Sequence, residues 1–241
     1  MSASTILLRA LSAHGGLERW SALRHLSATG AIGGGLWAAK GHAHALDRVT
    51  IHADPHRPLL RYADVGPDGG AMLFTPDRVV VYDRDGRATA SRSEPRPAIA
   101  ARPRDEPWDA LDLAYFSGYA MWTYLTIPFV FAGAGFAVSE GEPWHERGER
   151  WDRLHVRFPE HVPSHSARQT FYVDADGLLR RHDYQVDVLG GLQSAQYLDG
   201  HRAFDGFVFP TRRRVYARQP DNHPDRGRVA VAIDIASLEL H

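Results

Sequence analysis

The sequence predicts an α+β fold that is mainly antiparallel β: a curved sheet or incomplete β-barrel, with helices at its N-terminus and a helical insertion covering its concave face. Three observations predict it. From Ser27 onward, apolar residues recur with a period of two, in short runs separated by turn residues. Asp85-Gly86 and Asp176-Gly177 each join two such runs, and Asp-Gly between alternating segments is a strong hairpin signal. The connections between the early runs are also too short for the crossovers that parallel strands require.

Taken in order, residues 4–25 read as helical. Ser4 can cap, Ile6, Leu7, Ala10 and Leu11 recur at helical spacing, and His14-Gly15-Gly16 breaks the helix before a second short one carrying Leu17, Trp20 and Leu23. The period then changes. Leu36–Leu46 and Asp47–Ala53 read as strands, followed by Leu59–Ala63, Ala71–Thr75, Arg78–Asp83 and Arg87–Arg92. Residues 93–107 hold four prolines and many charges and read as a loop. Residues 108–126 read as a helix with Trp108, Leu111, Tyr115, Tyr119 and Trp122 on one face, and Pro128 ends it or starts a second short helix. The whole insertion spans about residues 108–134. Strands resume as Phe136–Gly141, Arg150–Phe158, Ser166–Asp174, Leu178–Leu189, Ser194–Leu198, Phe207–Ala217 and Val229–Leu240, with Pro220–Arg226 a polar turn. No repeat and no linker divides the chain, so residues 1–241 are expected to form one domain.

Composition narrows the function classes. The 241 residues carry 44 % hydrophobic and 24 % charged side chains and a net charge of −1, so nothing draws nucleic acid or an anionic membrane. Lys40 is the sole lysine. The absence of cysteine excludes disulfides and thiolate chemistry. Met1–Leu11 lacks the pattern of a signal peptide, and the apolar stretch Tyr119–Val138 is interrupted by Pro128, so a soluble, cytoplasmic protein without a membrane span is expected. The oligomeric state is open.

Three stretches carry a resemblance: His14-Gly15-Gly16-Leu17-Glu18-Arg19-Trp20 before a first strand, the hairpin from Phe171-Tyr172-Val173-Asp174 to Arg181, and Phe204-Asp205-Gly206-Phe207-Val208-Phe209-Pro210. In these, and in the order of its elements, the chain resembles the LolA-like lipoprotein-carrier and lipid-binding proteins. The resemblance implies an incomplete antiparallel barrel of about eleven strands, whose concave side is plugged by helices and binds acyl chains. Members of that family are typically exported, and this chain shows no export signal.

The insertion is the most informative region for chemistry. Trp108, Tyr115, Phe116, Tyr119, Trp122 and Tyr124 combine large apolar area with polar tips that can orient a ligand. Equally, they can be plain packing between helix and sheet. Asp112 lies within the stripe, where desolvation would suit it to general acid or base work; an Asp bonded to Tyr or Arg is the simpler reading. Arg212 and Arg214 share a strand face and could hold an anion at a pocket mouth, or form an exposed charged face. His42 and His44 are two apart on an expected strand and offer a weak metal pair, with His52 or Asp54 as a third ligand. Ser164 and His165 lack the setting of a nucleophile elbow.

These features favour a binding protein for a hydrophobic or amphipathic small molecule, held between the concave sheet and the aromatic helix, with no cofactor. The alternatives are an enzyme of cyclase, isomerase or hydratase type using the same cavity, and a structural or protein-interaction module with no ligand.

Overall fold

The computed structural model describes residues 4–241. Helix α1 (Thr5–Ala13) is capped by Ser4, whose hydroxyl accepts from the Leu7 amide at 3.2 Å. It stops at Gly15 and Gly16, whose φ values of 124° and 89° lie where only glycine sits at ease. Helix α2 (Leu17–Ser21) follows and buries Trp20.

The chain then builds one continuous antiparallel sheet. Its first half comprises β1 (Leu26–Gly33), β2 (Val49–Ala53), β3 (Leu60–Val65), β4 (Gly70–Phe74), β5 (Arg78–Tyr82) and β6 (Ala88–Ser93). The second half comprises β7 (Ala137–Glu146), β8 (Glu149–Arg157), β9 (Arg168–Val173), β10 (Leu179–Val186), β11 (Leu192–Phe204), β12 (Phe207–Arg218), the short β13 (Pro224–Asp225) and β14 (Val231–Leu240). The spatial order is β6-β5-β4-β3-β2-β1-β14-β12-β11-β10-β9-β8-β7, with β13 paired to β12. The sheet is open and curved and has 14 strands, more than the eleven or so implied by the resemblance. The two meanders predicted from period-two patterning meet where β1 pairs with β14.

The expected strand Leu36–Leu46 does not form. Gly34, at φ 112°, carries the chain so close to β14 that a Cβ there would lie 2.6 Å from the Ala230 carbonyl. The following residues wind into a short helix, α3 (Gly35–Ala39), which drives Trp37 into the core. His42 and His44 therefore lie in a turn and do not share a strand face. His42 Nε2 donates to the Trp108 carbonyl at 2.9 Å, and His44 Nδ1 meets Asp47 at 2.7 Å. The expected loop 93–107 contains another short helix, α4 (Pro95–Ala100), with proline at its first turn, where a missing N–H costs nothing.

Helix α5 (Ala110–Thr126) crosses the concave face and packs on β3, β4, β5 and β6. Every residue from Asp112 to Thr126 is buried, so it forms the centre of the core rather than an amphipathic cover. Trp108 precedes the helix, and Asp109 caps it. Gly118 lets it approach the sheet: a Cβ at that position would lie 2.4 Å from Phe74 Cβ. No helix among the described residues is long and apolar enough to cross a membrane.

A smaller cluster lies on the opposite face of the sheet. Trp151, Tyr172, Ala195 and Tyr197 form it, and the rings of Trp144, Tyr172 and Tyr197 face the guanidinium of Arg181, which is fully buried and ion-paired with Glu146 at 2.8 Å and Asp183 at 2.7 Å.

Candidate functional site

Close packing of α5 against the sheet leaves a cavity of about 70 Å³ at the β14 side. Phe116, Ala120 and Met121 of α5 form one wall, Leu36 and Trp37 of α3 a second, and Val215, Val231 and Ile233 of β12 and β14 the floor. Leu36, Leu192 and Ala230 are only part-buried and form its rim. Almost all of this lining is apolar, which suits a greasy ligand fragment. The volume corresponds to roughly two waters at their share of liquid volume, so in this state it admits a short apolar group and not a long chain.

One end of the cavity is polar. Tyr124 Oη lies 2.7 Å from His165 Nε2 and 3.0 Å from Tyr184 Oη, and Tyr119 Oη lies 3.1 Å from His165 Nδ1. His165 stacks on Tyr184 at 4.1 Å between centroids, with only 6° between planes. Burial lowers the His165 pKa to about 3, assisted by the Arg96 charge, and raises Tyr124 to about 12. At neutral pH the imidazole and all three phenols are uncharged. A neutral imidazole donates through one nitrogen and accepts through the other, so His165 links the two helical tyrosines as a relay of fixed polarity.

Two of the six aromatics singled out in the sequence, Phe116 and Tyr124, line the cavity. Tyr119 reaches it only through His165. Trp108 packs behind it, against Trp37 and Phe116. Tyr115 lies against Phe74, and Trp122 turns away and donates to the Asp54 carbonyl at 2.8 Å.

Asp112 is buried as expected, but not among aromatics. It completes a capping box with Asp109 and is held by Arg92 at 2.7 Å and by Arg102. Both carboxylate oxygens are engaged and neither faces the cavity, which removes the observation behind the general acid or base reading. Arg212 is exposed, and Arg214 pairs with Asp234 at 2.8 Å; the arginine on the concave side is Arg213, between them. Alternation explains the exchange, because Phe207, Phe209 and Val215 put the odd positions of β12 inside. Ser164 Oγ donates to the Ser166 carbonyl and makes no bond to His165. No group of three His, Asp or Glu among the described residues is arranged to hold a metal.

Sequence reasoning missed His165 and Tyr184 as cavity groups, along with the α3 wall. Tyr184 was accessible from the even-numbered apolar positions of β10, which include Val186. His165 sits in a loop, where no periodicity speaks for it.

Comparison by sequence finds no matching family model and no matching curated protein. Comparison of structures is more informative. A LolA superfamily protein from Nitrosomonas europaea superposes with a TM-score of 0.59 at 12 % identity, covering 100 % of this chain and 94 % of that one. A domain from Vibrio parahaemolyticus, named as an outer membrane lipoprotein-sorting protein, gives 0.55 at 10 % identity over 98 % and 91 % of the two chains. At such identities the likeness concerns architecture, and the open curved sheet with its central buried helix is accordingly a LolA-like fold.

Proposed function

We propose that the protein binds a hydrophobic small molecule between α5 and the floor formed by β12 and β14. The observation that carries this reading is the apolar cavity itself, with part-exposed Leu36, Leu192 and Ala230 at its rim and a neutral Tyr124–His165–Tyr184 cluster at its far end. Burial of the ligand's apolar surface supplies affinity at roughly 25 cal/mol per Å², less the cost of immobilisation. The phenol and imidazole groups orient a polar tip. The fold neighbours support the reading, since one of them is named for lipoprotein sorting. A ligand longer than the present cavity enters by displacing the short helix α3, whose Leu36 and Trp37 form one wall.

The test uses N-phenyl-1-naphthylamine, a neutral dye that fluoresces in apolar surroundings. The dye is expected to bind the native chain, and Ala120→Phe, which fills the cavity from the helix side, is expected to weaken binding at least tenfold while unfolding remains cooperative. Equal binding by the variant places the dye elsewhere and refutes the reading.

A further inference from the structure

Beside this cavity sits a buried charge without a counterion. Arg213 is 2 % exposed. Its Nη1 donates to Gln196 Oε1 at 3.0 Å and its Nη2 to the Tyr124 carbonyl at 2.6 Å, while Nε has no partner. No carboxylate is paired with it among the described residues. The contrast with Arg181 on the opposite face, equally buried but held by Glu146 and Asp183, is direct.

The helix end compensates Arg213 only in part. The donor that would normally cap the Tyr124 carbonyl belongs to residue 128, a proline without N–H, and Arg213 replaces it. What a cation gains at a helix C-terminus is smaller than the cost of removing it from water. Burial accordingly lowers the Arg213 pKa to about 10, which still leaves it charged at neutral pH.

A second unmet donor lies close by. Gln196 Nε2 on β11 has no partner and sits directly opposite Val215, two residues along β12 from Arg213 and on the same face. Both strand neighbours of this pair reach the cavity. Val215 lines it, and so does Ile233, which lies directly opposite Arg213 on β14. Tyr124 is the partition: it lines the cavity, and its ring lies 5.0 Å from the Arg213 guanidinium.

We propose that the ligand is an amphipathic monocarboxylate, with its apolar tail in the cavity and its carboxylate paired with Arg213 Nε and the Gln196 amide. This rests on the hydrophobic-ligand reading above. In the bound state the Tyr124 side chain turns aside and opens the end of the cavity toward Arg213. A single negative charge matches the single buried cation, whereas a dianionic phosphate would leave net charge in the interior. The planar carboxylate also suits the guanidinium edge.

The experiment is calorimetric titration of the full chain at pH 7.5 with octanoate, 1-octanol and octyl phosphate. Octanoate is expected to bind at least tenfold more tightly than 1-octanol. Arg213→Met is expected to abolish that difference while leaving 1-octanol within twofold of its native affinity. If Arg213→Met fails to fold, Gln196→Leu replaces it and is expected to weaken octanoate at least threefold and 1-octanol not at all. Equal binding of octanoate and 1-octanol overturns the carboxylate assignment and leaves the cavity reading standing. Tighter binding of octyl phosphate overturns the single-charge argument. Failure of all three to bind overturns the cavity reading along with it.

Discussion

Replacing Gly118 by alanine tests how closely α5 approaches the sheet. Gly118 has ordinary helical backbone geometry, so the methyl group adds no dihedral strain, and in an exposed helix the change would stabilise by about 1 kcal/mol. Here the new Cβ would meet Phe74 Cβ at 2.4 Å and Phe74 Cγ at 2.5 Å. Those atoms are the root of the Phe74 side chain, at the end of β4 but paired on both sides with Leu60 and Val79, and cannot swing away as a flexible tip could. The helix must lift or the strand must yield, and overpacking of this kind costs typically 1–3 kcal/mol. Phe74 is 1 % exposed and stacks near Tyr115, so the upper part of that range applies. Net of the propensity gain, Gly118→Ala should destabilise by about 1–2 kcal/mol. For a chain of this size that is a fall in Tm of roughly 2–8 °C. Urea unfolding followed by circular dichroism, with a thermal scan, measures both. The sign decides: an unchanged or raised midpoint would refute the intimate helix–sheet contact, and with it the geometry from which the cavity is drawn.

Asp112→Ala removes half of the α5 capping box and leaves Arg92 and Arg102 sharing only the half-exposed Asp109, a loss of about 3 kcal/mol in chemical denaturation. Naphthylamine binding by the surviving folded fraction should be unaltered; loss of dye affinity there would return Asp112 to the ligand site. Stability should also fall on acidification. Burial lowers the pKa of His14 and His201 to about 4 and that of His165 to about 3, from the ordinary imidazole value of 6.5. The unfolded chain therefore takes up protons first, so the stability these residues confer is complete above about pH 6.5 and is lost as the pH drops toward 4. Each proton taken up on unfolding contributes a slope of about 1.4 kcal/mol per pH unit. Urea midpoints measured from pH 7.5 to 4.5 should decline, and a level profile would mean these imidazoles are solvated.

Period-two alternation made most of both meanders legible, because most strands turn one face to the core; β1, at Leu26–Gly33, was not among the expected strands. Asp85-Gly86 and Asp176-Gly177 located two hairpins, and the dense aromatics of residues 108–126 located the central helix. What failed depended on contacts distant in sequence. Leu36 and Trp37 look like strand residues until Gly34 is pressed against the Ala230 carbonyl. Asp112 invited a catalytic reading because its spacing from Trp108 and Tyr115 was weighed, while its spacing from Asp109, three residues earlier, is a capping signature. Arg213 was hidden by its neighbours: three consecutive arginines suggest a solvent face, although Phe207, Phe209 and Val215 share its parity. The cavity has no sequence signal of its own, since it is the residue of imperfect packing among two helices and several strands distant in sequence.

The seam between β1 and β14 has a consequence for how the molecule is made. Leu26 lies opposite Leu240, so the middle of the sheet is closed by its earliest and latest strands. During synthesis the strands up to β6 can zip locally, and later β7 to β12 can do the same, but two raw edges persist at β1 and β12 until β14 has emerged to pair with both. Pairing across such separations is slow, and open edges recruit foreign strands. A nascent chain stalled before β14 emerges should therefore be prone to aggregation and dependent on chaperones, although most side chains of the cavity have already been made.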